Sequence, residues 1–419
     1  VISNTVPSLQ RMTTAGVVVF FAAMFAIPSG YSYGGAILLL VSVWMLAGRS
    51  WHARTLTRDD CVLIGVLLSY GVVMIAMVLL LDHGNRLIDK PMRALLTVPI
   101  LLLLLRVPVQ QAVMWAGMVV GVAVSALRAW WEMAVEHAGR AGDYMNSIHF
   151  GNIAFVYSVF CAAGLIWTRT QTRHVATWRV VLVLGLCCGL YSCVTSGSRG
   201  AWVALPMVLV VFAVSLLNRR NLVYAVLCTA AGVAVLGAVF SRTDGMLHQR
   251  YVDAVSDIAQ YRQNNADTSI GARFEMWRGA AMNLPHHPIL GWNMGDYEKA
   301  LQDLVHARRL HEIVLTFKTN LHNGYIHAWI FYGLPGLLVL LMLYGVPLWF
   351  FGRGLRDPDL GVRSIAVSGT SLIVSYASFN LTQAMFLHNN GIMFFLLSLV
   401  ILWSALRHAR TATHSTTAT

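Results

Sequence analysis

The chain predicts an all-α polytopic membrane protein, and three observations carry that reading. Of 419 residues, 57% are hydrophobic and only 11% charged, against roughly 25% charged in a soluble domain. Mean hydropathy is +0.63. Apolar runs close to membrane-crossing length recur from one end of the chain to the other.

Taken in order, the runs place about twelve spans at 12–28, 35–48, 61–81, 92–106, 109–127, 150–168, 177–194, 201–217, 221–240, 333–352, 362–380 and 389–406. The first follows Arg11 and imitates a signal-peptide core, but with so many spans behind it a retained helix is expected. The fourth and fifth are divided by "RVPVQ" (106–110), where Pro108 supports a turn. The chain thus divides into spans one to nine (1–240), a large polar loop with short helices (241–332), spans ten to twelve (333–406) and a disordered tail (407–419). Within the loop, 268–283 predicts a helix capped by Thr268 or Ser269. Residues 296–317 carry Leu301, Leu304 and Val305 at helical spacing, and 285–295 is a Pro/Gly-punctuated connection.

Arginine placement sets the orientation. With the N-terminus inside, the inner connections hold Arg49, Arg54, Arg58, Arg106, Arg169, Arg173, Arg219, Arg220, Arg353, Arg356 and Arg363, with Arg179 at a helix start and Arg407 and Arg410 in the tail. The outer connections hold Arg86, Lys90, Arg93, Arg128, Arg140 and Arg199. Both termini then lie inside and 241–332 lies outside. The net charge of +12 is explained by this bias and by anionic lipid headgroups, and calls for no nucleic acid. The six cysteines fall in or beside apolar runs and read as small buried hydrophobes rather than disulfides or ligands.

The absences narrow the chemistry. There is no Walker loop, no dinucleotide fingerprint, no HExxH and no Ser-His-Asp signature. No Asp or Glu falls inside a predicted span, which counts against a carboxylate-relay transporter. Asp357 and Asp359 form a DxD on the inner side and read as a solvated turn, so no metal site is expected.

The outer side offers arginines and histidines instead. In "TSGSRGAW" (195–202), Arg199 sits on a very short connection beside a helix start. That arrangement suits an anion, and equally suits an arginine snorkelling to lipid phosphate. In "GARFEMWRGA" (271–280), Arg273 and Trp277 share a helical face while Arg278 points elsewhere; a surface amphipathic helix explains the pattern as well. In "LHNGYIHAWIFYGLPG" (321–336), His322, Ile326 and Trp329 fall on one face and His327 turns away; Gly333, Pro335 and Gly336 then permit a sharp break. His322 reads equally as a general base or as a helix cap. Tyr144, Asn146 and His149 precede the sixth span and stand within reach of sugars.

These stretches resemble a known family. "HNGYIHAWIFYGLPG" resembles the loop motif of bacterial O-antigen ligases, and "SGSRGAW" the Ser-Arg-Gly element of the O-antigen ligase/polymerase (Wzy-C) superfamily. "GARFEMW" is similar to its Arg-x-x-x-Trp element, and "HPILGWNMG" to its His-Pro-x-x-Gly-x-x-x-Gly loop. The four lie in the family's order over 195–336. The resemblance implies a glycosyltransferase C-like fold in a Gram-negative inner membrane, with the large loop periplasmic between the ninth and tenth spans. It implies transfer of O-antigen polysaccharide from undecaprenyl diphosphate to a sugar hydroxyl of lipid A-core, with no metal, cofactor or ATP. Membrane lipids are the remaining partner. By motif, His322 matches the base, and Arg199 and Arg273 the essential arginines; Arg278 joins them for the diphosphate without a firm match. Asn323, Tyr325, Trp277 and Asn146 are carried as candidate sugar contacts. A single base without a carboxylate nucleophile predicts inversion. An O-antigen polymerase, a protein O-oligosaccharyltransferase and, outside enzymes, a lipid-sugar transporter remain the alternatives.

Overall fold

A computed structural model of the protein describes residues 6–48, 56–217, 246–317 and 319–417. Among them every regular element is a helix, and eight helices are long and apolar enough to cross a membrane. The bundle helices run α1 Val6–Ala23, α2 Gly30–Ala47, α3 Arg58–Leu80, α4 Asp89–Arg106, α5 Gln111–Ala134, α6 Ser147–Trp167, α7 Val175–Thr195 and α8 Gly200–Leu216. Four shorter helices follow: α9 Met246–Arg262, α10 Ser269–Asn283, α11 Met294–His306 and α12 Val314–Phe317. The chain then re-enters the bundle through α13 Gly324–Gly352, α14 Leu360–Phe379 and α15 Asn389–Thr417.

The sequence predicts about twelve spans, and the described residues support the coarser statement of eight. Helix α4 coincides with a predicted span, but Asp89, Lys90, Arg93 and Arg106 lie at its ends, and α8 is short. The predicted span at 221–240, with Arg219 and Arg220, lies outside the described residues, as do Arg49 and Arg54.

Burial explains the layering. Helix α6 is apolar all round, so no face prefers a surface; it is enclosed by α5, α7, α8, α14 and α15. Helices α14 and α15 are likewise largely interior, whereas α7 exposes Val180, Val183 and Leu184. Such apolar outer faces would meet hydrocarbon in a bilayer.

Two carboxylates modify the sequence reading. Asp60, one residue before a predicted span, is buried in the first turn of α3. It caps the helix through Thr57 (2.7 Å) and accepts from Trp403 Nε1 (2.9 Å) and Arg407 Nε (3.1 Å) on α15. A buried carboxylate persists when paired and hydrogen-bonded in this way. Arg407 is thereby fixed, and Thr411 bonds back to its carbonyl at 2.9 Å. Helix α15 consequently continues to Thr417, through residues whose composition predicts a disordered tail. Glu132 extends α5 beyond the predicted end of its span by holding Arg128 at 2.7 Å.

In the loop region, Thr268 caps α10 by accepting from Gly271 N at 3.1 Å, as predicted. The helix expected over 296–317 is instead interrupted after His306, where Arg308 takes a left-handed φ of 54°.

The histidine stretch 321–336 shows why its glycines are required. Gly333 breaks α13 with φ 63° and ψ −170°, a conformation only glycine adopts readily. The break frees Ile330 O and Leu334 N, which pair with Trp292 N (2.7 Å) and Ile289 O (2.9 Å). A Cβ on Gly333 would lie 2.2 Å from Ile289 O. Trp329 adds an indole bond to Pro288 O at 2.8 Å. So the "HPILGW" and "FYGLPG" stretches recognise each other's backbones, and this contact fixes where α13 breaks. His327 is buried against Phe331 and Tyr332.

Candidate active site

The connections 24–29, 81–88, 135–146, 196–199 and 380–388, and the N-terminus of α13, all lie at one end of the bundle. The candidate residues gather there, starting with Arg199. Its connection is pressed onto α6: a Cβ on Gly151 would lie 1.9 Å from Ser196 Oγ, and one on Gly200 2.7 Å from Asn152 Oδ1. Ser198 Oγ donates to the buried Asn152 Oδ1 at 2.7 Å. Gly197 turns the chain at φ 62°. These contacts leave the backbone of Arg199 little freedom at the first turn of α8.

Arg199 does not act alone. Arg140 Nε donates to Ser196 O at 2.8 Å, so the 135–146 connection delivers a second guanidinium to the same turn. Helix α10 delivers Arg273. All three line one cavity of about 340 Å³, together with Asp257, Ser269 and Thr382. Asp257 lies 3.9 Å from Arg199 Nη1, too far for a good hydrogen bond, and that nitrogen is buried without one. Burial, then repulsion from Arg199 and Arg140, pulls the pKa of Arg273 below its ordinary value. Arg140, Arg199 and Arg273 outnumber the two lining carboxylates, Asp253 and Asp257, and the positive excess favours an anionic ligand.

His322 is placed by both neighbouring motifs. Trp277, on the Arg273 face of α10, donates its indole N–H to Leu321 O at 2.9 Å. That bond ties the arginine helix to the residue preceding His322. Asn320 Oδ1 accepts from His322 N at 3.1 Å, supporting a left-handed φ of 45°. Gln383, buried on the α14–α15 connection, presents Oε1 to His322 Nδ1 at 2.7 Å. With that amide orientation the oxygen only accepts, so Nδ1 carries the proton and Nε2 keeps its lone pair. Burial lowers the pKa of His322 below 6.5; Gln383 opposes this, while Arg273 and His388 add to it. The ring is a neutral imidazole at pH 7.

Other sequence candidates separate from this cluster. Arg278 pairs with Glu275 at 3.3 Å and lines a different cavity with Arg308 and Arg309. Glu275 is held by Tyr261 (2.7 Å) and His311 N (2.9 Å), which fixes Arg278 away from Arg199. Asn323 caps α13, accepting from Tyr325 N and Ile326 N at 3.0 Å and donating to Leu381 O. Tyr325 donates to Ala377 O at 2.8 Å. Both brace the site. Asn146 caps α6 and lines a third cavity with Tyr144. His149 is buried against His388, with ring centroids 4.2 Å apart. Arg140, Asp257 and Gln383 were not singled out from sequence. The outer-side placement of Arg140 was the available signal for it; Gln383 carries none.

Residues 184–341 match the O-antigen ligase (Wzy_C) family. An uncharacterised protein of Haemophilus influenzae is 26% identical over 383 residues, covering 90% of this chain and 94% of the relative. The O-antigen ligase of Escherichia coli is 23% identical over 260 residues, covering 55% of this chain and 61% of the relative. The matched segment contains the Arg199 turn, the Arg273 helix and His322, the same stretches whose motifs carried the resemblance. The match to the O-antigen ligase (Wzy_C) family over residues 184–341 thus covers the part of the chain that holds the candidate site.

Proposed function

We propose that the protein is an O-antigen ligase, a glycosyltransferase moving O-antigen polysaccharide from undecaprenyl diphosphate to a sugar hydroxyl of lipid A-core. The observation that carries this reading is the neutral His322 held beside an arginine cavity. In the reaction, the acceptor hydroxyl gives its proton to His322 Nε2. Its oxygen attacks the anomeric carbon as the carbon–oxygen bond to the diphosphate breaks. The electron pair leaves on the diphosphate, where Arg199 and Arg273, supported by Arg140, meet the growing charge. The donor is already activated, so no nucleotide is consumed. The guanidiniums supply the charge stabilisation that a metal gives in other transferases. A single displacement inverts the anomeric configuration. Arginine placement supports a periplasmic site in an inner membrane, with both termini cytoplasmic.

The test is transfer by purified protein from undecaprenyl-diphosphate-linked glycan to rough lipopolysaccharide. Transfer with inversion, at a rate unaffected by EDTA, is the expected result. Polymerisation of the donor without use of lipid A-core would replace the ligase reading with the polymerase reading.

Gln383→Glu tests the base separately. A carboxylate accepting from Nδ1 stabilises imidazolium and raises the His322 pKa. In the native protein that pKa lies below 6.5, so the rate should rise with pH and level off in the mildly acidic range. In Gln383→Glu the rise should move alkaline by about one pH unit or more. An unchanged pH–rate profile would remove the Gln383–His322 bond from the mechanism.

A further inference from the structure

The α14–α15 connection joins the arginine cavity to another beside it. Thr382 lines the arginine cavity, Gln383 holds His322, and Leu387 and His388 line a second cavity of about 460 Å³. The charges of both Arg273 and His388 reach His322, which Gln383 holds from this same connection.

The second cavity is built for an anion. Ser29 and Asn146 stand at the N-caps of α2 and α6, Lys90 is in the first turn of α4, and Asn389 opens α15. The positive ends of four helices thus converge with an ammonium. No Asp or Glu lines the cavity. The acid nearest in sequence, Asp89, is engaged by Arg93 at 2.9 Å. Behind the wall, His149 is wholly buried against His388, and neither of its ring nitrogens has a hydrogen-bond partner.

Resting on the ligase reading above, we propose that this cavity is the acceptor site and that Lys90 binds a phosphate on the acceptor sugar. The donor diphosphate occupies the arginine cavity. The acceptor is anchored at Lys90, and its hydroxyl crosses to His322. Two separate anion sites keep two anionic lipids from competing for one.

The test measures transfer by full-length protein to acceptor glycolipid in phosphorylated and phosphatase-treated forms. Lys90→Ala should raise KM for the phosphorylated acceptor by roughly tenfold or more, the loss expected for one charge-assisted hydrogen bond. The KM ratio between the two acceptor forms should collapse toward one, and Lys90→Arg should restore most of it. The KM for donor should stay constant. An unaltered acceptor ratio in Lys90→Ala overturns the proposal, as does a defect confined to donor KM. The assay is repeated in nanodiscs of neutral lipid. A Lys90 effect that persists there supports a sugar phosphate; one seen only with phosphatidylglycerol assigns the cavity to a lipid headgroup and overturns it. Direct binding of phosphorylated acceptor to the two proteins, read without turnover, keeps this test separate. Lys90-dependent binding without any transfer by the native protein would sink the ligase reading and leave the site standing.

Discussion

His322→Ala should reduce transfer by about 10²–10⁴-fold, the contribution of a positioned general base. The loss should fall on kcat, because the acceptor proton moves only as the new bond forms. A backbone complication is foreseeable, since His322 has a φ of 45° that most residues resist. Asparagine tolerates that region better than other non-glycine residues. His322→Asn therefore removes the imidazole while keeping the turn, and should lose activity as His322→Ala does. Thermal unfolding of both variants near the native temperature, with donor binding retained, places the loss in chemistry. Native rates in a folded His322→Asn protein would remove the base assignment. Exogenous imidazole restoring part of the His322→Ala rate would strengthen it.

Arg273→Ala and Arg199→Ala should each cost on the order of 10²–10³ in rate, as expected for one preorganised donor to a developing anion. Arg273→Lys should recover little, because a point charge does not reproduce the guanidinium fork. The two arginines line one cavity and repel each other. Removing both should therefore cost less than the product of the single losses. Arg278→Ala should cost far less, since its guanidinium is tied to Glu275 and lines another cavity. Single-turnover rates at saturating donor separate these cases. Equal losses at Arg278 and Arg273 would show that the diphosphate spans both cavities, against the division described here.

The composition and the period of the apolar runs carried much of the architecture. Helix class, the helix at 269–283 and the break at Gly333 all follow from local rules: apolar length, an N-cap threonine, and glycine where φ is positive. The motif stretches single out Arg199, Arg273 and His322, and the structure places all three at one end of the bundle. Other features rest on pairs far apart in the chain. Asp60 looks like an ordinary capping residue until Trp403 and Arg407 reach it, and that contact carries α15 past its expected end.

The same divide runs through the site. Periodicity places Arg273 and Trp277 on one helical face. Folding gives Trp277 its use: its N–H holds Leu321, so one helix positions both the arginine and the histidine. His322 began as base or cap in equal measure, because a sequence fixes which groups are titratable but not what their ring nitrogens face. Gln383, 61 residues further on, turns its amide oxygen to Nδ1 and so favours the tautomer with a free Nε2 lone pair. Asn323, its neighbour, takes the capping role. Apolar spacing and turn chemistry are encoded within a few residues, so they can be read along the chain. Protonation state and charge clustering depend on burial and on partners brought together by helix packing, so they exist only once the bundle has closed.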